Sequence, residues 1–350
     1  MERHPIPSNI PTNESNIHLS PKPFCKSRHF GAFLICCALF VAGFALTALW
    51  SDADGRKWGK EESTTGSFVE NPITTPNDTK PAPIEPSPIL IPTGATPIVK
   101  YDLSHIGQGI AYLNNQTDYS PNINVLLQMD VTTPVTREPL VLILHTHTSE
   151  GYLSENASYI VGDLGDATYT CDRERNVLAV GEAFAKALKE NGITAIHCTV
   201  MHDESEMSGA YERAAQSIRF FREQYPSIRY VVDIHRDAIL TSEGEYVSAV
   251  TEINGEEVAQ ILPVVGSNAG GWEHDSWEGN LALALQMRQA LNQAEEALCR
   301  PVMLKQSTYN QEMAPFAILL EIGTGANTID EAIAAATLAG RAFAKVILSY

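Results

Sequence analysis

The stretch 139–150, Pro-Leu-Val-Leu-Ile-Leu-His-Thr-His-Thr-Ser-Glu, decides the fold. Residues 140–144 are five consecutive aliphatic side chains with no polar interruption. A run that short and that uniform is the pattern of a strand buried on both faces of a sheet. It stops abruptly at His145, and His147 and Glu150 follow at once. In open α/β sheets, ligands bind beyond the C-terminal ends of the strands. Imidazole nitrogen and carboxylate oxygen are also the donors that catalytic zinc takes. The stretch therefore predicts a metal site at a sheet edge, whose remaining ligands come from elsewhere in the chain.

Outward from this strand, the pattern alternates between helix and strand. Residues 176–189 carry Val177, Val180, Phe184 and Leu188 on one helical stripe, and Asn191-Gly192 stops the helix. Residues 193–200 read as a strand, 208–224 as a helix ended before Pro226, and 228–234 as a third buried strand running into His235-Arg236-Asp237-Ala238. In 247–265, Asn254-Gly255 separates two strand-like runs, the strongest short hairpin signal. Residues 276–298 predict a long helix, and 316–320 a further buried strand ending in Glu321. Thr328-Ile-Asp-Glu331 is a capping box opening a last helix that runs to about 348. The expected fold is α/β, with a mostly parallel sheet and helices on both faces. Residues 99–137 are polar and irregular, and the pattern gives them no place ahead of the domain at 138–350.

Three buried strands thus end in polar chemistry: His145, His147 and Glu150 after the first, His235 and Asp237 after the third, and Glu321 after the last. A single strand-end histidine is usually a hydrogen-bonded core residue, and a single glutamate is usually solvated. Parallel strands, however, bring their C-terminal ends to one side of a sheet. Two histidines and a carboxylate on zinc, with a further carboxylate as general base, suit metal-assisted amide hydrolysis.

Composition narrows the setting. A net charge of −18 argues against nucleic acid, which demands clustered Lys and Arg. The six cysteines form no CxxC pair, so neither a disulfide framework nor a zinc ribbon is indicated. Residues 29–50 contain no Asp, Glu, Lys or Arg. As a helix they would measure about 33 Å, enough to cross a hydrocarbon core of about 30 Å. The apolar run is longer than a signal-peptide core, and Lys22, Lys26 and Arg28 precede it. The expectation is one transmembrane helix with residues 1–28 cytoplasmic and the body exported. Residues 51–98, with Pro81, Pro83, Pro86, Pro88 and Pro92, read as an extended disordered linker.

The strings HTHTSEGY (145–152), NVLAVGEAFAKALKENGI (176–193), VVDIHRDA (231–238), INGEEVAQILPVVGSNAGGWEHDSWEGNLALAL (253–285) and LLEIGTGANTIDEA (319–332) resemble the stage II sporulation protein P family over roughly 138–350. The resemblance implies a peptidoglycan hydrolase of endospore formers, on a fold similar to that of zinc-dependent N-acetylmuramoyl-L-alanine amidases. It implies amidase and crosslink endopeptidase activity in engulfment, a Zn2+ cofactor, a place in the septal or forespore-engulfing membrane, and two partners, stage II sporulation proteins D and M. Carried onto this chain, it makes His235 a zinc ligand, with either His147 or His145 as the second and either Glu150 or Glu174 as the third. It makes Glu321 the general base. Arg236 and Asp237 are then orienting groups or a local ion pair, and Asn310 and Trp272 are substrate contacts. Trp277 and His274 share the Trp272 loop, and Gln311 adjoins Asn310. One departure is Gly323-Thr324-Gly325, where a Gly-Asn-rich turn is expected. The competing readings are another exported zinc hydrolase on the same fold and a non-catalytic cell-wall scaffold.

Overall fold

The computed structural model describes residues 91–105 and 112–348. The expected membrane span at 29–50 and the linker as far as residue 90 lie outside the described residues. Among the described residues, no helix is long and apolar enough to cross a membrane.

In chain order the elements are β1 (Ala95–Tyr101), β2 (Leu113–Asn115), α1 (Ile123–Leu126), β3 (Val141–Leu144), β4 (Tyr159–Val161), α2 (Leu164–Thr168), α3 (Val177–Glu190), β5 (Ala195–His197), α4 (Ala210–Gln224), β6 (Tyr230–Asp237), β7 (Tyr246–Ile253), β8 (Glu256–Ala259), β9 (Ile261–Val265), α5 (Trp277–Ala294), β10 (Val302–Leu304), β11 (Phe316–Thr324) and α6 (Ile329–Ile347). The main sheet runs β2-β10-β9-β11-β6-β3-β5. Every neighbouring pair is parallel except β9 with β11. This is the expected α/β class with a mostly parallel sheet.

The two-residue period of the strands sorts their side chains onto two faces. Val141, Ile143, Val232, Ile234, Ile318 and Leu320 share one core with α3, α5 and α6. Leu142, Leu144, Val231 and Ala317 face the other way, onto Ala214 and Ile218 of α4. Helices therefore cover both faces, unequally. Continuing the same alternation puts Asp233 and His235 of β6, and Glu321 of β11, on the α4 face. Glu321 and His235 are register partners on adjacent strands, so their side chains emerge next to each other.

On the opposite face α3 and α6 pack closely. A Cβ on Gly340 would stand 2.7 Å from Ala187 Cβ and 2.8 Å from Phe184 O, so the crossing requires glycine there. Gly340→Val is expected to force the helices apart and cost about 1–3 kcal/mol, read as a lower thermal midpoint in circular dichroism.

Two regions differ from the expected layout. A second sheet, β4-β1-β7-β8, stands beside the first. Asn254 and Gly255 do form the tight turn between β7 and β8, both with positive φ (54° and 84°). The run does not stay in that hairpin to residue 265, because the chain changes sheets at Gln260. The fully buried Gln260 side chain braces the corner by accepting from Leu103 N at 2.7 Å and donating to Asp102 Oδ1 at 2.7 Å. Secondly, the polar lead-in is not merely irregular: β1 joins the small sheet, starting at Ala95 inside the expected linker, and β2 adds an edge to the main one.

Candidate active site

The segment after β3 is a tight turn rather than more strand, and its own hydroxyls hold it. Thr146 donates to Asp233 from N (2.9 Å) and Oγ1 (2.6 Å). Thr148 Oγ1 donates to His145 O at 2.8 Å and accepts from His202 N at 3.1 Å. Ser149 donates to Asp203 from N at 3.0 Å and from Oγ at 2.7 Å.

The turn separates the two histidines. Strand alternation would have set His145 and His147 on one side, but it applies only while the strand continues. His145 goes to the α3 side, where its Nδ1 lies 2.9 Å from Ile234 O and its Nε2 2.9 Å from His197 Nε2. Burial, and then His197, push its pKa down to about 3. Gly181 of α3 leaves room for this pair, since a Cβ there would stand 2.5 Å from His145 Nε2. His147 goes to the α4 side, with its ring edge-on to His235 at 5.3 Å between centroids and to Tyr211 at 5.6 Å.

His235 is the centre of the site. Its Nδ1 lies 3.3 Å from Glu150 Oε2 and its Nε2 3.1 Å from Asp233 Oδ1. Burial disfavours its charged form, but the two flanking carboxylates outweigh burial and hold its pKa well above the usual imidazole range. The effect is reciprocal. Burial would raise Glu150 and Asp233, yet His235 leads the opposing interactions that hold both low, Asp233 at about 2. Glu321 behaves in the opposite way. Burial, and then the nearby Asp237 charge, raise it to about 8, and its buried Oε2 has no hydrogen-bond partner. Among the described residues, no three His, Cys, Asp or Glu side chains are already arranged as a metal-binding group; both nitrogens of His235 face carboxylates instead.

The other expected residues take definite places. Arg236 is buried and supports Glu150 rather than His235: its N–H donates to Glu150 Oε2 at 3.2 Å and its Nε to Gly151 O at 2.9 Å. Asp237 pairs with Arg300 Nη1 at 2.8 Å instead of with its neighbour Arg236. Glu174 is exposed in the loop before α3, outside the buried cluster, and the helix opens on Asn176, whose side chain caps Leu178 N. Asn310 (φ 59°) donates from Nδ2 to Tyr211 O at 2.9 Å and so steadies the tyrosine that faces His147. Gln311 is buried between Gly266 N and Val264 O. Trp272 is 69% exposed on its loop. The two other ring residues of that stretch are not: His274 is buried, and the half-buried Trp277 stacks on Tyr119 at 5.0 Å. The Gly-Thr-Gly departure ties the two sheets together. Gly323 has φ +67°, and Thr324 Oγ1 donates to Val247 O at 2.7 Å. Asp233 and Tyr211 are the site residues that the sequence alone did not point to, whereas His202-Asp203, after the second strand, reads in sequence as lining the cleft. Asp233 does leave a trace in the sequence, as an acid inside the apolar run 230–234.

The family model for stage II sporulation protein P matches residues 108–346 of the chain. The chain belongs to the stage II sporulation protein P family. A curated relative, stage II sporulation protein P of Bacillus subtilis (strain 168), is 26% identical over 218 residues, 59% of this chain and 51% of that protein. The match thus spans about half the length of that relative. Among solved structures, the N-acetylmuramoyl-L-alanine amidase AmiC2 of Nostoc punctiforme is similar at 18% identity and a TM-score of 0.34, over 60% of this chain and 94% of that one. The CwlD amidase from Clostridioides difficile, solved with the GerS lipoprotein, is similar at 14% identity and a TM-score of 0.35, over 58% and 94%. Likenesses this loose decide nothing about the site.

Proposed function

We propose that the chain is a membrane-anchored, zinc-dependent peptidoglycan hydrolase of sporulation, an N-acetylmuramoyl-L-alanine amidase and crosslink endopeptidase. Family membership supports the sporulation setting. The observation that carries the chemistry is Glu321, half-buried with its Oε2 fully buried and without a hydrogen-bond partner, in register beside His235.

The residues present suit zinc by donor type, and holding it would require His235 to turn a nitrogen from its carboxylate partner to the metal. His147, Glu150 and His235 offer two imidazoles and a carboxylate, a donor set that catalytic zinc accepts. The carboxylates around His235 hold a proton on its imidazole; that proton would leave as a metal takes its place, and the same field favours the bound cation. Bound there, zinc would supply Lewis-acid polarisation of the scissile amide carbonyl. The backbone N–H of Arg236 holds Glu150 in place, and its side chain ties down Gly151 next to it. Glu321 takes the proton of the attacking water and returns it to the leaving amine, and a carboxyl raised to about 8 is matched to that task near neutral pH. Trp272 offers an exposed aromatic face to the glycan or its stem peptide.

On this reading, residues 29–50 anchor the protein, the proline-rich segment lets the domain reach the wall, and stage II sporulation proteins D and M are its partners. The test is to treat the purified full chain with a chelator and return zinc before adding sacculi. Soluble peptide should be released, should cease on chelation and should resume with zinc. Release unaffected by the chelator would overturn the zinc assignment. Sacculus binding without release would favour a scaffold.

A further inference from the structure

We propose that Asp203 is a positioning residue which, with Asp233, clamps the turn carrying His147 and Glu150. The inference rests on the reading of those two side chains as ligands.

Every residue between the functional side chains of His-Thr-His-Thr-Ser-Glu is Thr or Ser. In the structure Thr146, Thr148 and Ser149 are buried, so their amides and hydroxyls need internal partners. Thr148 Oγ1 donates to His145 O, and two carboxylates serve Thr146 and Ser149 in the same way. Asp233 takes both donors of Thr146, at the entry of the turn. Asp203 takes both donors of Ser149, at the exit, directly before Glu150. A carboxylate that accepts N–H and O–H from one residue fixes that residue's orientation as well as its position.

The two acids come from different elements. Asp233 belongs to β6, beside β3. Asp203 lies in the loop after β5, and that loop is itself braced. His202 Nδ1 lies 2.7 Å from His145 O, and His202 Nε2 lies 2.8 Å from Ser217 Oγ of α4. Arg213 of α4 holds the same loop through His202 O and Ser208 O. Helix α4 therefore transmits its position through Asp203 and Ser149 to Glu150. Burial works against the charge on Asp203, and its bonds to Ser149 offset part of that cost.

The test uses Asp203→Asn in the full chain. Asparagine keeps the size but turns an amide donor toward the donors of Ser149. Zinc affinity, measured by competition with a chromophoric chelator, should fall about 10–100-fold. Hydrogen exchange over 145–152 should accelerate, while exchange over 230–234 stays as in the wild type. If Asp203→Asn does not fold, Ser149→Ala, which removes only the hydroxyl, should give a smaller acceleration confined to 145–152. Zinc affinity and local exchange both within about twofold of wild type, or an acceleration spread evenly over the domain, would overturn the proposal. A wild-type chain that binds no zinc would refute the proposed function, and the exchange measurement would still decide the clamp.

Discussion

Glu321→Gln should leave a folded protein that no longer releases peptide from sacculi. Glutamine keeps the shape and the register against His235 but cannot take a proton from water. General acid–base catalysis by a positioned side chain is typically worth about 10²–10⁴-fold, so a loss in that range is expected. Stability should not fall with it. The wild-type carboxyl is crowded by Asp237 and Glu150 and resists ionisation, and a neutral amide removes that conflict. Rates of peptide release, with circular dichroism as the control for folding, check both halves. A variant with near wild-type release would remove Glu321 from the chemistry.

His235→Ala should be damaging in a different way. In the metal-free protein it removes the cation that both Glu150 and Asp233 face. Taking one partner from a buried charge pair costs about 3–5 kcal/mol, because the remaining charge stays buried without compensation. The carboxyls relieve part of this by taking up protons, so their pKa values should rise from the low values that His235 maintains. Zinc content and activity should fall together, with a lower thermal midpoint. Thermal denaturation and metal analysis of the purified variant provide the check. Full zinc content in His235→Ala would refute the ligand set.

The difference between what the sequence discloses and what it hides follows from range. Residues 140–144, Asn254-Gly255 and the Thr328–Glu331 capping box are local signals, and the structure places a strand, a tight turn and a helix start at them. The alignment of strand ends follows from parallel pairing, which is why Glu321 and His235 could be expected together. What stayed hidden depends on distant partners. β1 carries Pro97 and is only half-buried, and β4 has three residues, so neither shows a pattern until they pair with each other. The sheet change at Gln260 depends on Leu103, Asp102 and Ala297, all far away in the chain. The His145/His147 alternative could not be resolved by alternation, because Thr146 and Ser149 bind acids from other elements and Thr148 bonds back to His145 O, which turns the chain. Glu174 resembles a ligand in sequence, but the loop before α3 leaves it exposed.

The most direct test of the central claim is to identify the bond that is cut. Sacculi digested with the full chain and zinc, then analysed by mass spectrometry, should yield free stem peptides with a new L-alanine amino terminus and glycan strands stripped of peptide. Both products should be missing with Glu321→Gln. Products cleaved within the glycan, or intact sacculi that merely retain the protein, would contradict an amidase site built on His147, Glu150, His235 and Glu321.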